Sequence, residues 1–227
     1  MGLFISNIFR KYLKKEANFF VDAYAHISLD SPSLRLFHNE VFNTMKSNIS
    51  LTRDISLLDF GCGKGYFLNY LDQLGYKNLL GVEPCEPLRK NKLFNNILNG
   101  SYEKNSFEDN SFDIVFTCHT LHHLSNKHPF YAIKEMLRIS KKYVVLVEIN
   151  NSNLPMIFRS LLYFSEEENA FRYNLQKVQS ILASAKCRVV LSDHLKSCYL
   201  SGNSLGYRIL AKMGKPPYNI SIAVKHT

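Results

Sequence analysis

Three glycines stand at every second position, Gly61, Gly63 and Gly65, directly after the run Ile55-Ser56-Leu57-Leu58-Asp59-Phe60. Glu83 lies 18 residues beyond Gly65, at the end of a second apolar run, Leu79-Leu80-Gly81-Val82. Glycines placed this way let the backbone turn tightly and let a ligand lie against the main chain, where a Cβ would keep it off. A carboxylate at Glu83 can accept hydrogen bonds from both hydroxyls of a ribose, and its offset suits the ribose-binding acid of a nucleotide fold. Further on, His119, His122 and His123 follow a third apolar run, Ile114-Val115-Phe116. Imidazoles titrate near neutrality and can take a proton from a hydroxyl acceptor. Hydrogen bonding within their own turn is the equal alternative for each of the three. Their H-x-x-H-H spacing lacks the i, i+4 pair and the carboxylate of a zincin site, so no metal is expected. The chemistry these residues allow is the binding of a nucleoside-bearing ligand with proton-accepting groups nearby.

Such groups need strands that end together and helices that turn the chain back. Strand, glycine turn and helix is the start of a Rossmann-like βαβ unit, with Phe67, Leu68 and Leu71 on the buried helix face. Gly75 ends that helix as a C′ glycine does. Before the unit, Asp30-Ser31-Pro32 reads as a helix start, with Pro32 at the first helical position and Leu34, Leu36, Phe37, Val41, Phe42 and Met45 along its length. After it, residues 130–140 form an amphipathic helix, residues 143–148 a buried strand, and residues 173–185 a further helix. The last strands are expected at 187–191 and 220–224, with a long insertion between them. In an open α/β sheet the carboxyl ends of the strands face the ligand crevice.

The glycine spacing is G-x-G-x-G, not the G-x-G-x-x-G of dinucleotide enzymes. With Asp59 it reads D-F-G-C-G-K-G-Y; G-V-E-P follows at 81–84, F-E-D-N-S-F-D at 107–113 and L-H-H-L at 121–124. These strings, over roughly residues 55–226, resemble the class I S-adenosylmethionine (SAM) dependent methyltransferases, in particular the type 11, ubiquinone/menaquinone-biosynthesis-like domain. The resemblance implies an α/β, Rossmann-like, seven-stranded and mostly parallel sheet of order 3-2-1-4-5-7-6. Its seventh strand would be antiparallel and helices would cover both faces. It implies SAM as cofactor, with Asp59, Gly61, Cys62, Gly63 and Gly65 at the methionine end and Glu83 with Pro84 at the ribose. Ser101 and Tyr102 would meet the adenine, and Cys118 and His119 would line the pocket near the methyl group. Ser101 stands where relatives often carry Asp, and a hydroxyl accepts more weakly than a carboxylate.

The activity implied is in-line transfer of the sulfonium methyl to an O, N or C atom of a small acceptor, with His119, His122 and His123 as candidate catalytic groups. SAM supplies the electrophile, so the protein's task is mainly positioning and desolvation. Residues 51–227 would form the domain, with 154–172 and 193–218 as candidate acceptor-pocket segments. The apolar character of the first of these suits a lipophilic acceptor or core packing equally. A non-catalytic SAM-binding module and a membrane-surface interaction module are the alternatives.

Bulk properties agree with one domain. The chain has 227 residues, 46% hydrophobic and 21% charged, and a formal net charge of +9. That balance favours anionic partners, yet no strong nucleic-acid motif accompanies it. Five scattered cysteines without C-x-x-C pairing suit a reducing, cytoplasmic setting. No run is long and apolar enough to span a membrane. Residues 1–50 read as a helical extension. Within it, residues 3–20 alternate apolar pairs with Arg10, Lys11, Lys14 and Lys15. Such a helix either touches an anionic membrane surface peripherally or packs on its own domain as a lid.

Overall fold

The computed structural model describes residues 32–124, 128–153, 174–195, 216 and 218–225. The first described element is α1 (Pro32–Asn48), which begins at the expected proline. Leu34, Phe37, His38, Val41 and Met45 are buried along it, at the three- and four-residue steps of one helix face, while Leu36 points out at 63% exposure. Then follow β1 (Leu57–Phe60), α2 (Tyr66–Gln73), β2 (Leu79–Val82), the short α3 (Glu86–Lys90), β3 (Ile97–Leu98) and β4 (Phe112–Cys118). A single 3-10 turn, Leu121–His123, leads to α4 (His128–Ile139) and β5 (Ser140–Ile149). Helix α5 (Leu175–Ser184) and strands β6 (Arg188–Leu195) and β7 (Tyr218–Val224) close the described chain.

The seven strands form one sheet in the order β3-β2-β1-β4-β5-β7-β6. Strands β1 to β5 pair in parallel, and β7 runs antiparallel between β5 and β6. This is the order and polarity that the sequence resemblance implied. Its cause is visible in the patterning. A parallel strand covered on both faces must be apolar throughout, and all four residues of β1 are buried, Asp59 included. Val144, Val145 and Val147 of β5, and Ile114 and Val115 of β4, are likewise fully buried. Truncating one such residue, Leu58→Ala for example, leaves a cavity and costs about 2–5 kcal/mol. The last two strands are longer than the apolar pattern suggested, because Leu195 and Tyr218 pair directly and are both buried. The insertion between them therefore spans 196–217.

The F-E-D-N-S-F-D string earns its place by pinning the bottom of this sheet. Ser56 donates to Asp113 Oδ2 through its amide at 3.0 Å and its hydroxyl at 2.9 Å, and the Asp113 amide donates back to Ser56 Oγ at 2.9 Å. That reciprocal clasp joins the amino ends of β1 and β4. Arg138, in the last turn of α4, donates to Asp109, Glu135 and the Phe107 carbonyl, which holds the loop against the helix. The strand order reverses between β1 and β4, so the crevice opens above the carboxyl ends of these two strands.

Candidate cofactor crevice

The glycine turn sits directly in that crevice. The amides of Gly61 and Cys62 both donate to the Val82 carbonyl, at 2.8 and 3.2 Å, which folds the turn over the end of β2. Gly61, Gly63 and Gly65 all have left-handed φ values, 71°, 57° and 82°. Space decides the first and last as well. A Cβ on Gly61 would stand 2.5 Å from both Cγ2 and Oγ1 of Thr120, and one on Gly65 would stand 2.7 Å from Phe94 Cβ. Gly63 differs: a Cβ there meets nothing closer than Leu88 Cδ1 at 4.0 Å. Its missing side chain leaves an open cradle, where the other two leave room for the protein itself.

Glu83 caps this cradle. It is 6% exposed and accepts from the Gly63 amide at 2.9 Å on Oε2 and from the Cys85 amide at 2.7 Å on Oε1. Each oxygen thus takes one backbone donor and keeps a second lone pair, enough for the two hydroxyls of a ribose. Burial pushes its pKa up, against the pull of those amides and of Arg89. Asp59 lies beneath, at 3% exposure, and its Oδ1 has no hydrogen-bond partner among the described residues. Burial first, and then the neighbouring Glu83, holds its pKa well above the usual carboxylate range. A buried, unsatisfied carboxyl oxygen is costly unless a ligand completes it. Pro84 is exposed and turns the chain from β2 toward α3.

Both thiols of the site are kept neutral. Burial raises the pKa of Cys62 and of Cys118, and Asp59 adds to the shift in each. Such neutral, half-buried thiols pack rather than act as nucleophiles. Cys62 Sγ packs where a Cβ on Gly81 would stand, 2.6 Å away. Ser101 closes a small bridge with Lys104, and its Oγ accepts from the Lys104 amide at 3.2 Å. The Tyr102 hydroxyl lies 3.0 Å from Glu103 and 2.8 Å from His128 Nδ1. These contacts fix the two residues beyond β3, on the Glu83 side of the crevice.

Across the crevice, β4 ends at Cys118 and the chain kinks. Thr117 Oγ1 donates to the Phe60 carbonyl at 2.8 Å, tying β4 to the mouth of β1. His119 takes a left-handed φ of 55°, uncommon for a residue with a side chain. Its amide donates to Val147 O, and its ring stacks on Tyr218 at 4.7 Å and lies 5.7 Å from Phe37. His122 is 4% exposed with Nδ1 2.7 Å from Glu148 Oε2, and the His123 ring lies 4.0 Å from its own. The three histidines are thus brought into one cluster at the end of β4, alongside the glycine turn through Thr120.

Three groups at this end escaped the motif reading. Glu148 ends the buried run V-V-L-V-E of β5 as Glu83 ends that of β2, and that likeness was the available signal. Tyr218 and Phe37 flank His119 from β7 and α1, and nothing local in sequence marks either pairing. Asn150 Nδ2 donates to Pro216 O, while His194 Nδ1 and Asn219 Oδ1 lie 2.9 Å apart, a polar knot beyond β5 in which the two asparagines are buried. Residues 154–172, and 196–215 within the second acceptor segment, lie outside the described residues, as does the helix expected at 3–20. No helix among the described residues is long and apolar enough to cross a membrane.

A seven-stranded sheet of this order, with a glycine turn and a strand-end acid at its switch point, is the class I methyltransferase fold. Residues 58–147 match the family model described as a methyltransferase domain. That segment is thus similar to the methyltransferase domains that use SAM as cofactor, and the fold around it is theirs. No curated protein matches the chain in sequence. Solved structures share its fold. A SAM-dependent methyltransferase from Thermotoga maritima aligns at TM-score 0.66 and 20% identity, covering 94% of this chain and 100% of that one. Another from Archaeoglobus fulgidus aligns at 0.65 and 18%, covering 91% and 98%. Phosphoethanolamine N-methyltransferase 2 from Haemonchus contortus, in complex with SAM, aligns at 0.62 and 15%, covering 83% of this chain and 53% of that one.

Proposed function

We propose that the chain transfers the SAM methyl group to an O, N or C atom of a small acceptor bound beside the His119–His123 turn. The observation that carries this reading is the pairing of an open cradle at Gly63 with the unfilled Oδ1 of buried Asp59. The ammonium of an amino-acid end fits both, because it brings donors and positive charge to the unfilled Oδ1. Glu83 holds the ribose through its remaining lone pairs, and Ser101 and Tyr102 meet the adenine. When bound, SAM supplies an activated methyl group on a positive sulfur. The protein's own residues orient the ligand, exclude water and hold the acceptor in line. Where the acceptor is a hydroxyl, an imidazole of the 119–123 cluster takes its proton. The acceptor's lipophilic character rests on the apolar segment 154–164.

A membrane-surface role for residues 3–20 is a separate reading, resting on their basic and apolar alternation alone. Liposome co-sedimentation of the full chain against one starting at Asp22 tests it. Equal sedimentation of the two would dismiss it. The transfer reading is tested by calorimetry with SAM, S-adenosylhomocysteine (SAH) and NADH. Binding of SAM and SAH without NADH is expected. NADH binding alone would overturn the reading, and binding of none would do the same.

A further inference from the structure

Three donors converge on the carboxylate of Glu148, which is 1% exposed near the end of β5. Oε1 accepts from the amides of Thr120 at 3.1 Å and Leu121 at 2.7 Å, and Oε2 lies 2.7 Å from His122 Nδ1. All three come from consecutive residues of the turn after β4. Backbone amides only donate, so the orientation of Oε1 is fixed. An ionised carboxylate only accepts, so the proton of the His122 pair belongs on Nδ1. The other ring nitrogen, Nε2, is then the one with the accepting lone pair.

The same turn grips the glycine loop. Thr120 Oγ1 lies 3.4 Å from the Gly61 carbonyl and 3.1 Å from that of Cys118. Its side chain occupies the space that a Cβ on Gly61 would need. One residue therefore separates the Glu148 carboxylate from the glycine turn of the cofactor crevice. A buried carboxylate is expensive, and a well-packed apolar residue would serve packing alone equally well. Three converging hydrogen bonds from one turn mark an orienting role instead.

We propose that Glu148 is the positioning residue of the transfer site: it holds the 120–122 turn against Gly61 and keeps His122 in the Nδ1–H tautomer, with Nε2 as the ring's proton acceptor. The use made of the turn rests on the methyltransferase reading; the tautomer does not. Glu148→Gln separates the two duties. Its amide oxygen still accepts from Thr120 and Leu121, while its NH2 group faces His122 Nδ1 and demands the Nε2–H tautomer.

The test is nitrogen NMR of the full chain, labelled with 15N-histidine, at pH 8.5, above the value of about 7 to which burial raises the Glu148 carboxyl. Loss of the signal in His122→Asn assigns the ring. The wild-type ring is expected as Nδ1–H and the glutamine variant as Nε2–H. In parallel, Glu148→Ala should weaken SAH binding about tenfold through loss of both amide anchors, and Glu148→Gln should weaken it less. An Nε2–H ring in the wild type, an unchanged tautomer in the glutamine variant, or wild-type SAH affinity in the alanine variant would each overturn the proposal. Should the alanine variant not fold, the tautomer switch alone decides. If the wild-type chain binds no SAH, the methyltransferase reading fails, and the tautomer switch still decides whether Glu148 governs His122.

Discussion

Replacing Gly61 with Ala tests whether the β4 turn and the glycine loop are truly locked together. Two costs add. The residue holds a φ of 71°, where a Cβ costs roughly 1–2 kcal/mol. The new methyl also stands 2.5 Å from Thr120 Cγ2 and Oγ1, overpacking that costs roughly 1–3 kcal/mol. The sum, about 2–5 kcal/mol, lowers Tm by roughly 4–20 °C for a domain of this size. Thermal unfolding followed by circular dichroism reads it. A second variant isolates the contact: adding Thr120→Ala removes the clashing atoms and leaves the backbone strain. The double variant should therefore be more stable than the sum of the single effects by about 1–3 kcal/mol. A Gly61→Ala Tm within 2 °C of wild type, or strict additivity with Thr120→Ala, would refute the reasoning.

Gly63→Ala should do the opposite. Its Cβ meets no protein atom within 4.0 Å, so stability falls only by the strain of roughly 1–2 kcal/mol, while SAH affinity falls at least about tenfold because the cradle is filled. Calorimetry and unfolding on the same sample separate the two effects. Asp59→Asn should flatten the pH dependence of SAM binding. Burial and Glu83 raise the Asp59 pKa in the free protein and a neighbouring ammonium lowers it, so binding releases protons and tightens as pH rises. Isothermal titrations between pH 6 and 8.5 would show a slope in the wild type and a smaller one in the variant; equal slopes refute the coupling. His38 is buried between Phe67 and Tyr70, and burial lowers its pKa from 6.5 to about 3. The unfolded chain binds its proton between those values and the folded chain does not, so stability is lost as pH falls through 6.5. His38→Phe should cut the loss between pH 7 and 5 by roughly 2 kcal/mol, read as denaturation midpoints at the two pH values.

Much of this fold was legible because its signals are local. A glycine turn needs its glycines at fixed spacing, and a buried parallel strand needs an unbroken apolar run, so β1, β2, β4 and β5 are visible as strings. The switch point then locates the crevice, and Glu83 reveals itself as an acid at the end of such a run. Strand β3, with only Ile97–Leu98 paired, is too short for periodicity to mark. The lengths of β6 and β7 were less legible, because the Leu195–Tyr218 pairing joins residues across a long insertion. The His119–His123 turn shows the limit most clearly. Its composition announces chemistry, but which imidazole is oriented depends on Glu148, 26 residues from His122 and on the next strand of the sheet. Likewise the Tyr218 ring reaches His119 only because β7 runs back antiparallel beside β5.

The central claim is that the crevice above β1 and β4 holds SAM with its ribose on Glu83. A crystal structure of the chain with SAH tests it most directly. The ribose hydroxyl oxygens should lie within about 3.2 Å of the Glu83 carboxylate. The amino-acid end should rest over Gly61 to Gly63, with its ammonium toward Asp59. A ligand bound elsewhere, or a ribose whose hydroxyls avoid Glu83, would contradict the account.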